Sequence, residues 1–566
     1  MSINTGKTSH LKRIFSLPTV FLIANFCAGA AAQNALNTAP AAISTKVRPA
    51  VRTDTLRAHV EFLADDLLEG RGAGTRGHAL AAAYVAAQFK QLGLKPAGDA
   101  NSYLQSVPLL EATVVLPGSA AKFVRDGNTT TFEDRVDFLP GADYSAPTST
   151  LSAPLAFVGF GISAPELGHD DFANVEVRDR VAVVLAGAPA KFPHHQRAFY
   201  SWNGEKNSAL IKRGAIGIIT IDTPQEAART PWNKRVAMSW QPQMRWLNDE
   251  GQPADAHLEL KQRFRFKSEA AAKFFENAER TLDQVFETAA AGEAQGFQLP
   301  GNITLSATTG LRRTESMNVL GVLEGSDPAL KRQVIVVTAH LDHLGRGAAV
   351  NGDAIYNGAH DNASGIAVLL EIARALTLAE ARPQRSLLFA AVTAEEKGLL
   401  GSDYLANHFT LERHTMVANL NIDMPLLLAA TQDLIAFGAE HSSLGPIARR
   451  VIREQGYRLS ADREPQEVRF IRSDQFSFVR LGIPALNLIS GSHARSRKVD
   501  AVALQKEFRE EHYHQPSDDL SLPMNYDAAA GLVAVNTAIL LEIANAPTAP
   551  FFYREDFFHQ KFGKKP

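Results

Sequence analysis

Apolar residues recur at spacings of four, three and four from Thr53 onward: Leu56, Val60, Leu63 and Leu67 share one face, which predicts an amphipathic helix. The glycine-bearing stretch 70–77 breaks that helix. Tyr84, Val85, Phe89 and Leu92 predict a second one, stopped by Gly93 with Pro96 beyond it. Between about residues 145 and 299 the pattern changes to short β-branched runs at 155–161, 181–186 and 216–221. A helical signal lies at 208–212, and an Ala/Glu/Lys/Phe segment predicts one long helix over 268–290. From Met317 the order is strand, helix, strand, helix. The runs 334–338, 387–392 and 417–422 are nearly all apolar, as strands buried on both faces of a parallel sheet are. Residues 366–376 are apolar on most sides and predict a well-covered helix against that sheet.

Length and composition narrow the class. A chain of 566 residues exceeds one ordinary hydrophobic core, so two or three domains are expected. Apolar residues at 45% and charged residues at 21% are the balance of a globular protein. With 58 basic and 60 acidic side chains, no basic excess is available to neutralise phosphates, which argues against a nucleic-acid binder. Lys7, Lys12 and Arg13 precede a short apolar stretch, residues 14–27, and Ala30 and Ala32 follow in a cleavage-site pattern. Residues 1–32 therefore read as a secretory signal, with export to the periplasm or beyond, and 33–52 as a linker. No run of 18 or more apolar residues follows, so no membrane span is expected. Cys27 is the only cysteine and lies within that signal, so any metal would be held by His, Asp and Glu.

The chemistry sits where the buried strands end. The first ends His340-Leu341-Asp342, the second Thr393-Ala394-Glu395-Glu396, the third Asn421-Ile422-Asp423. In an open α/β sheet, ligands bind beyond the carboxyl ends of the strands. A loop with Asp361 between glycines 358 and 365, and a turn carrying His514 ahead of Pro516, add to the set. A single such Asp is often only a helix cap, and a Glu pair often only complements a helix dipole. Several carboxylates delivered to one edge repel one another unless positive charge lies between them. Imidazole and carboxylate donors without sulfur suit zinc first, with cobalt or manganese tolerable. Two histidines and three carboxylates exceed the needs of one tetrahedral ion and suit two metals sharing a bridging carboxylate.

The ordered set His340-x-Asp342, Asp361-Asn362-x-Ser364-Gly365, Glu395-Glu396, Asp423 and Tyr513-His514-x-Pro516-x-Asp518 resembles the co-catalytic zinc aminopeptidase family. That family includes bacterial leucyl-type aminopeptidases, glutamate carboxypeptidase and glutaminyl cyclases. The resemblance runs from about Thr53 to Asn545. It implies an α/β fold with a mixed, mostly parallel central sheet and flanking helices, built from residues 53–144 and 300–548 and followed by a tail at 549–566. It also implies two zinc ions. His340 and Asp423 would hold one, Glu396 and His514 the other, with Asp361 bridging. Glu395 matches the general base, and Asp342 the carboxylate that orients His340. Tyr513 and Arg472 match positions that hold the substrate carbonyl as it becomes an oxyanion.

Residues 157–162, 181–185 and 212–221 look like a protease-associated domain, expected as a β-rich insertion over 145–299. Relatives often carry Asp at His360 and His at Gln475, neither a ligand position. The expected activity is release of N-terminal residues from peptides or proteins. A carboxypeptidase or dipeptidase, or a glutaminyl cyclase, would use the same fold. A non-enzymatic binding module is disfavoured because every ligand position is filled. No Gly-x-Ser-x-Gly elbow supports a serine hydrolase.

Overall fold

The computed structural model describes residues 51–563 except 116–117 and 380–381. The expected signal and all but two residues of the linker lie outside the described residues. Helix α1 (Thr53–Leu63) buries Leu56, Val60 and Leu63 as its spacing predicts. Leu67 does not join them and is 79% exposed. The helix ends at Leu63, and Asp65 caps a separate 3-10 turn by accepting from the Leu67 N–H at 2.8 Å, which turns Leu67 outward. Helix α2 (Arg76–Gln91) is N-capped by Thr75 and buries Val85 and Phe89.

Two sheets follow, and one strand serves both. The first strand, β1 (Leu104–Val114), leads into β2 (Thr148–Phe157), β3 (Val181–Leu185), β4 (Gly217–Ile221) and β5 (Gln262–Phe266). Strand β6 (Phe297–Leu323) is 27 residues long. Its first part pairs antiparallel with β2, and β2, β3, β4 and β5 then run parallel in that order. Its second part pairs antiparallel with β1. The expected boundary at 299/300 falls inside β6, while that at 144/145 falls in the loop that precedes β2. Residues 120–124 pair with 302–306 on the second sheet, while Gln243–Trp246 returns to pair with β1 on the first. The expected long helix over 268–290 is two, Ser268–Phe275 and Leu282–Ala290. Thr281 starts the second with a capping box, its hydroxyl accepting from the Gln284 N–H, and Asn277 takes a positive φ between them.

The first sheet is the one that matters for the site. Beyond β6 it contains β7 (Gln333–His340), β8 (Ser386–Val392), β9 (Thr415–Asn421), β10 (Asp433–Phe437) and β11 (Ala485–Ser490). Strand β7 lies parallel between β8 and β9, β9 is parallel to β11, β10 pairs antiparallel with β11, and residues 458–460 pair parallel with β10 beyond it. Strand β8 is buried throughout and β7 from Val334 on, as the apolar runs predict for a sheet covered on both faces. Helix α3 (His194–Ser201) belongs to the chain between β3 and β4. Helix α4 (Ser364–Thr377), the crossover from β7 to β8, is buried from Ser364 to Ala373 and packs against α1 and the β7 strand. Helix α5 (Tyr526–Asn545) is long and apolar enough to cross a membrane, yet 83% of its most apolar window is buried against α4 and α1. It is a core helix of the sheet's outer layer.

The glycine-bearing stretch after α1 has a use that its composition hides. Arg71, 1% exposed, donates from Nε to the Leu341 carbonyl at 2.9 Å. It also donates to the carbonyls of Leu63, Asn357 and Gly358. One guanidinium thus ties the end of β7 and the loop before α4 to the N-terminal helices. Burial lowers its pKa to about 10, with Asp342 and Asp518 opposing that, so it stays charged at neutral pH. Arg71→Ala leaves four buried carbonyls without their donor and should cost more than about 3 kcal/mol of unfolding free energy. Urea unfolding checks this; a loss below about 1 kcal/mol would contradict the role.

Candidate metal centre

Because β7, β8 and β9 run parallel, their carboxyl ends open on one edge, and each delivers its polar residues there. His340 is the last residue of β7; Glu395 and Glu396 follow β8, and Asp423 follows β9. His340 Nε2 lies 3.2 Å from Asp361 Oδ1 and 3.2 Å from Asp423 Oδ1. His514 Nε2 lies 3.3 Å from Asp361 Oδ2 and 3.1 Å from Glu396 Oε2. Asp361 therefore stands between two separate groups, one oxygen toward each. The five side chains lie together, His340 beside Asp423 and His514 beside Glu396.

The loop that carries Asp361 is fixed by main-chain contacts. Gly358 enters it at φ +61°, where an added Cβ would stand 2.0 Å from the Asp361 carbonyl oxygen. Asp518 accepts from the His360 N–H at 2.9 Å and from the Asp361 N–H at 3.0 Å. Asn362 donates to the Ile422 carbonyl at 2.9 Å and accepts from the N–H groups of Gly365 and Met424. It thereby binds the Asp361 loop to the strand end that carries Asp423. Burial pushes Asp518 up to about 7, an effect its two N–H bonds oppose.

Asp342 acts differently from the expectation. His340 Nδ1 donates to the Asp342 main-chain carbonyl at 3.1 Å, while the Asp342 carboxylate stays 4.0 Å away. That carboxylate instead accepts from the N–H groups of Glu395 at 3.1 Å and Glu396 at 3.4 Å. The ring is oriented by backbone, and the side chain holds the Glu395-Glu396 turn. Burial raises Asp342 to about 6.

The sequence motifs do not single out His343. It is fully buried, with Nδ1 2.7 Å from Glu396 Oε1 and 4.0 Å from Asp361 Oδ2. It could complete a three-residue metal group with Asp361 and Glu396. His514 competes for that role, and only His514 lines the cleft. His514 faces the cleft, and His343 lies against Glu396 on the side away from it. Its position directly after His340-x-Asp342 was the only signal available.

The two departures from the family pattern are structural here. His360 packs its ring on Phe508 at 5.2 Å, and burial lowers its pKa to about 4. Gln475 accepts from Asn421 at 2.8 Å and donates to the Phe470 carbonyl at 2.8 Å, bracing the end of β9.

The electrostatics fit divalent ions. Burial lowers the basicity of His514, but the Glu396 and Asp361 carboxylates outweigh it and raise its pKa to about 9. His340 is raised in the same way, by Glu395 and Asp423 against its burial. Four carboxylates, Asp361, Glu395, Glu396 and Asp423, thus crowd three imidazoles, His340, His343 and His514, and the group favours further positive charge. Burial, with Asp423 and Glu396 beside it, pushes Glu395 well above the usual carboxylate range despite His340.

A cleft of about 1320 Å³ opens on this edge, lined by Glu395, Asp423 and His514. Tyr513 and Arg472 also line it. Tyr513 stacks on His514 with ring centroids 3.8 Å apart, and Arg472 Nη1 lies 3.8 Å from Glu467. The far wall comes from the second sheet and its connections, including Arg229, Arg235 and Arg265.

Residues 318–540 match Peptidase family M28. An aminopeptidase from Pseudomonas aeruginosa is 31% identical over 38% of this chain and 39% of its own length. Leupeptin-inactivating enzyme 1 from Streptomyces exfoliatus is 28% identical over 38% of this chain and 47% of its length. Aminopeptidase NAALADL1 from Mus musculus is 35% identical over 24% of this chain and 17% of its length. The chain thus spans less than half the length of these curated relatives. Among solved structures, an aminopeptidase from Aneurinibacillus sp. strain AM-1 superimposes with a TM-score of 0.52 at 18% identity, covering 89% of this chain and 97% of that one. That likeness extends the shared α/β fold well beyond the matched segment.

Asp518→Asn replaces one acceptor of the Asp361 loop with a donor. It should weaken metal binding about tenfold to a hundredfold with the circular dichroism spectrum unchanged. Unaltered affinity in a zinc titration would show that the loop does not need this carboxylate.

Proposed function

We propose, from a peptidase domain of family M28 at residues 318–540 that contains the whole metal centre, that this protein is an exported metallopeptidase releasing residues from peptide N-termini. The observation that carries the reading is Asp361, which meets His340 with one oxygen and His514 with the other. Relatives named aminopeptidases match the same region and support release from the N-terminus. Export rests on the basic and apolar pattern of residues 1–32. The second sheet, read as a protease-associated module, walls the cleft.

His340, Asp423 and Asp361 would hold one zinc ion, and Glu396, His514 and Asp361 the other. When bound, the two ions polarise the scissile carbonyl and acidify water. The other tasks fall to the chain's own groups. Glu395 lines the cleft with a pKa raised by burial, as an acid–base group must have near neutral pH. It takes the proton from the attacking water and passes it to the departing amine nitrogen. Asp342 keeps its backbone in place through the two N–H bonds of the turn. Tyr513 and Arg472 offer a hydroxyl and a guanidinium to the carbonyl oxygen as negative charge develops.

A second reading has one observation in its favour. Arg229, Arg472 and Arg509 line the cleft and could pair with a substrate's terminal carboxylate, as a carboxypeptidase requires. A panel of aminoacyl-p-nitroanilides and N-blocked peptides decides between them. Chelator-sensitive release from the free-amine substrates, with about two catalytic zinc ions per chain, is the expected result. Cleavage confined to N-blocked peptides would overturn the aminopeptidase reading. Glu395→Gln should keep its metal while turnover falls about 10²–10⁴-fold. Turnover near wild type would remove Glu395 from the mechanism.

A further inference from the structure

A second cluster of ligating side chains lies apart from the cleft, where three segments distant in sequence meet. His195 comes from α3, Glu440 and His441 from the loop after β10, and Asp556 from the start of α6 (Phe557–Phe562). His195 Nε2 lies 3.3 Å from Glu440 Oε1, and His441 Nε2 lies 4.0 Å from the same oxygen. One ligand atom from each of the three residues falls within 4.8 Å of the others. Ligand atoms around one tetrahedral zinc stand about 3.3 Å apart. One contact already has that length, and the others close to it with small side-chain movements.

The protonation pattern also favours a cation. His441 is 1% exposed, and its Nδ1 is 2.6 Å from Asp556 Oδ2. A carboxylate only accepts at this distance, so Nδ1 carries a hydrogen, and in the neutral ring Nε2 presents a lone pair. Among the described residues that buried Nε2 has no hydrogen-bond partner. A carboxylate behind an imidazole whose other nitrogen faces outward is the support that metal-bound histidines receive. Asp556 is itself fixed, since it caps α6 by accepting from the N–H groups of Phe558 and His559. The surrounding wall is aromatic. Phe470 and Phe558 each lie 4.9 Å from the His441 ring, and the His195 ring meets it edge-on at 4.2 Å.

We propose that His195, Glu440 and His441 bind one further zinc ion, with water in the fourth position, and that this ion clamps α3 and the C-terminal segment to the first sheet. Two imidazoles and a carboxylate are a zinc donor set, for which copper and nickel would compete. The clamp adjoins the cleft wall, because Phe470 beneath His441 lies two residues before Arg472.

The test compares the full chain with the variants His195→Ala and Glu440→Gln, loaded with zinc and dialysed. Both residues are partly exposed, and neither belongs to the peptidase site. Wild type should hold one more zinc ion per chain than either variant by elemental analysis. Added zinc should raise the melting temperature of chelator-stripped wild type by several degrees more than that of either variant. Retention of the remaining ions would show that the variants are folded. Equal metal content in all three proteins would overturn the proposal, as would an equal gain in melting temperature.

Discussion

Asp361 stands within hydrogen-bond distance of two imidazoles that belong to different parts of the chain, and the rest of the site is arranged around keeping it there. A carboxylate buried beside Glu396 is electrostatically unfavourable on its own. Its position is enforced by groups that never approach the cleft. Asp518 grips the two N–H groups of the loop, Asn362 joins it to the end of β9, and Arg71 fastens its beginning to β7. Each is a contact between main chain and a buried polar side chain, which gives short, directional bonds where apolar packing alone would leave slack. The outcome is a fixed bridge with two ligand groups on its sides.

Much of this is legible in the amino-acid order, for a physical reason. A strand covered on both faces must be apolar throughout, so the polar residue that ends it stands out, and parallel strands end at one edge. His340, Glu396 and Asp423 could be located in that way, and Asp361 and His514 through the family motif. What could not be read depends on side chains that meet only after folding. His343 touches Glu396 because the β8 turn folds back over it, and no periodicity encodes that. Arg71 sits in a glycine-bearing stretch that reads as a helix break. Asp342 lies beside His340 as the motif implies, but its carboxylate is engaged by the Glu395 and Glu396 N–H groups and leaves the ring to its carbonyl. The split at Thr281 was in principle visible, because Thr followed three residues later by Gln is a helix-start signal.

The second sheet is not an appendage joined by a flexible tether. Strand β6 passes without interruption from one sheet to the other, so the far wall of the cleft is held in register with the strand edge that carries the metal ligands. The C-terminal segment adds a further tie, since Phe557 packs on Phe199 and His441 pairs with Asp556. The two walls of the cleft thus share one covalent strand and one aromatic seam.

Asp361 is placed to bridge two ions, one oxygen toward each ligand group. Crystals of the zinc-loaded protein, measured on either side of the zinc absorption edge, test it most directly. The account predicts two anomalous peaks about 3.5–4 Å apart, one beside His340 and Asp423 and the other beside Glu396 and His514, with one Asp361 oxygen on each. A single peak in the cleft, or two peaks of which one does not touch Asp361, would contradict it.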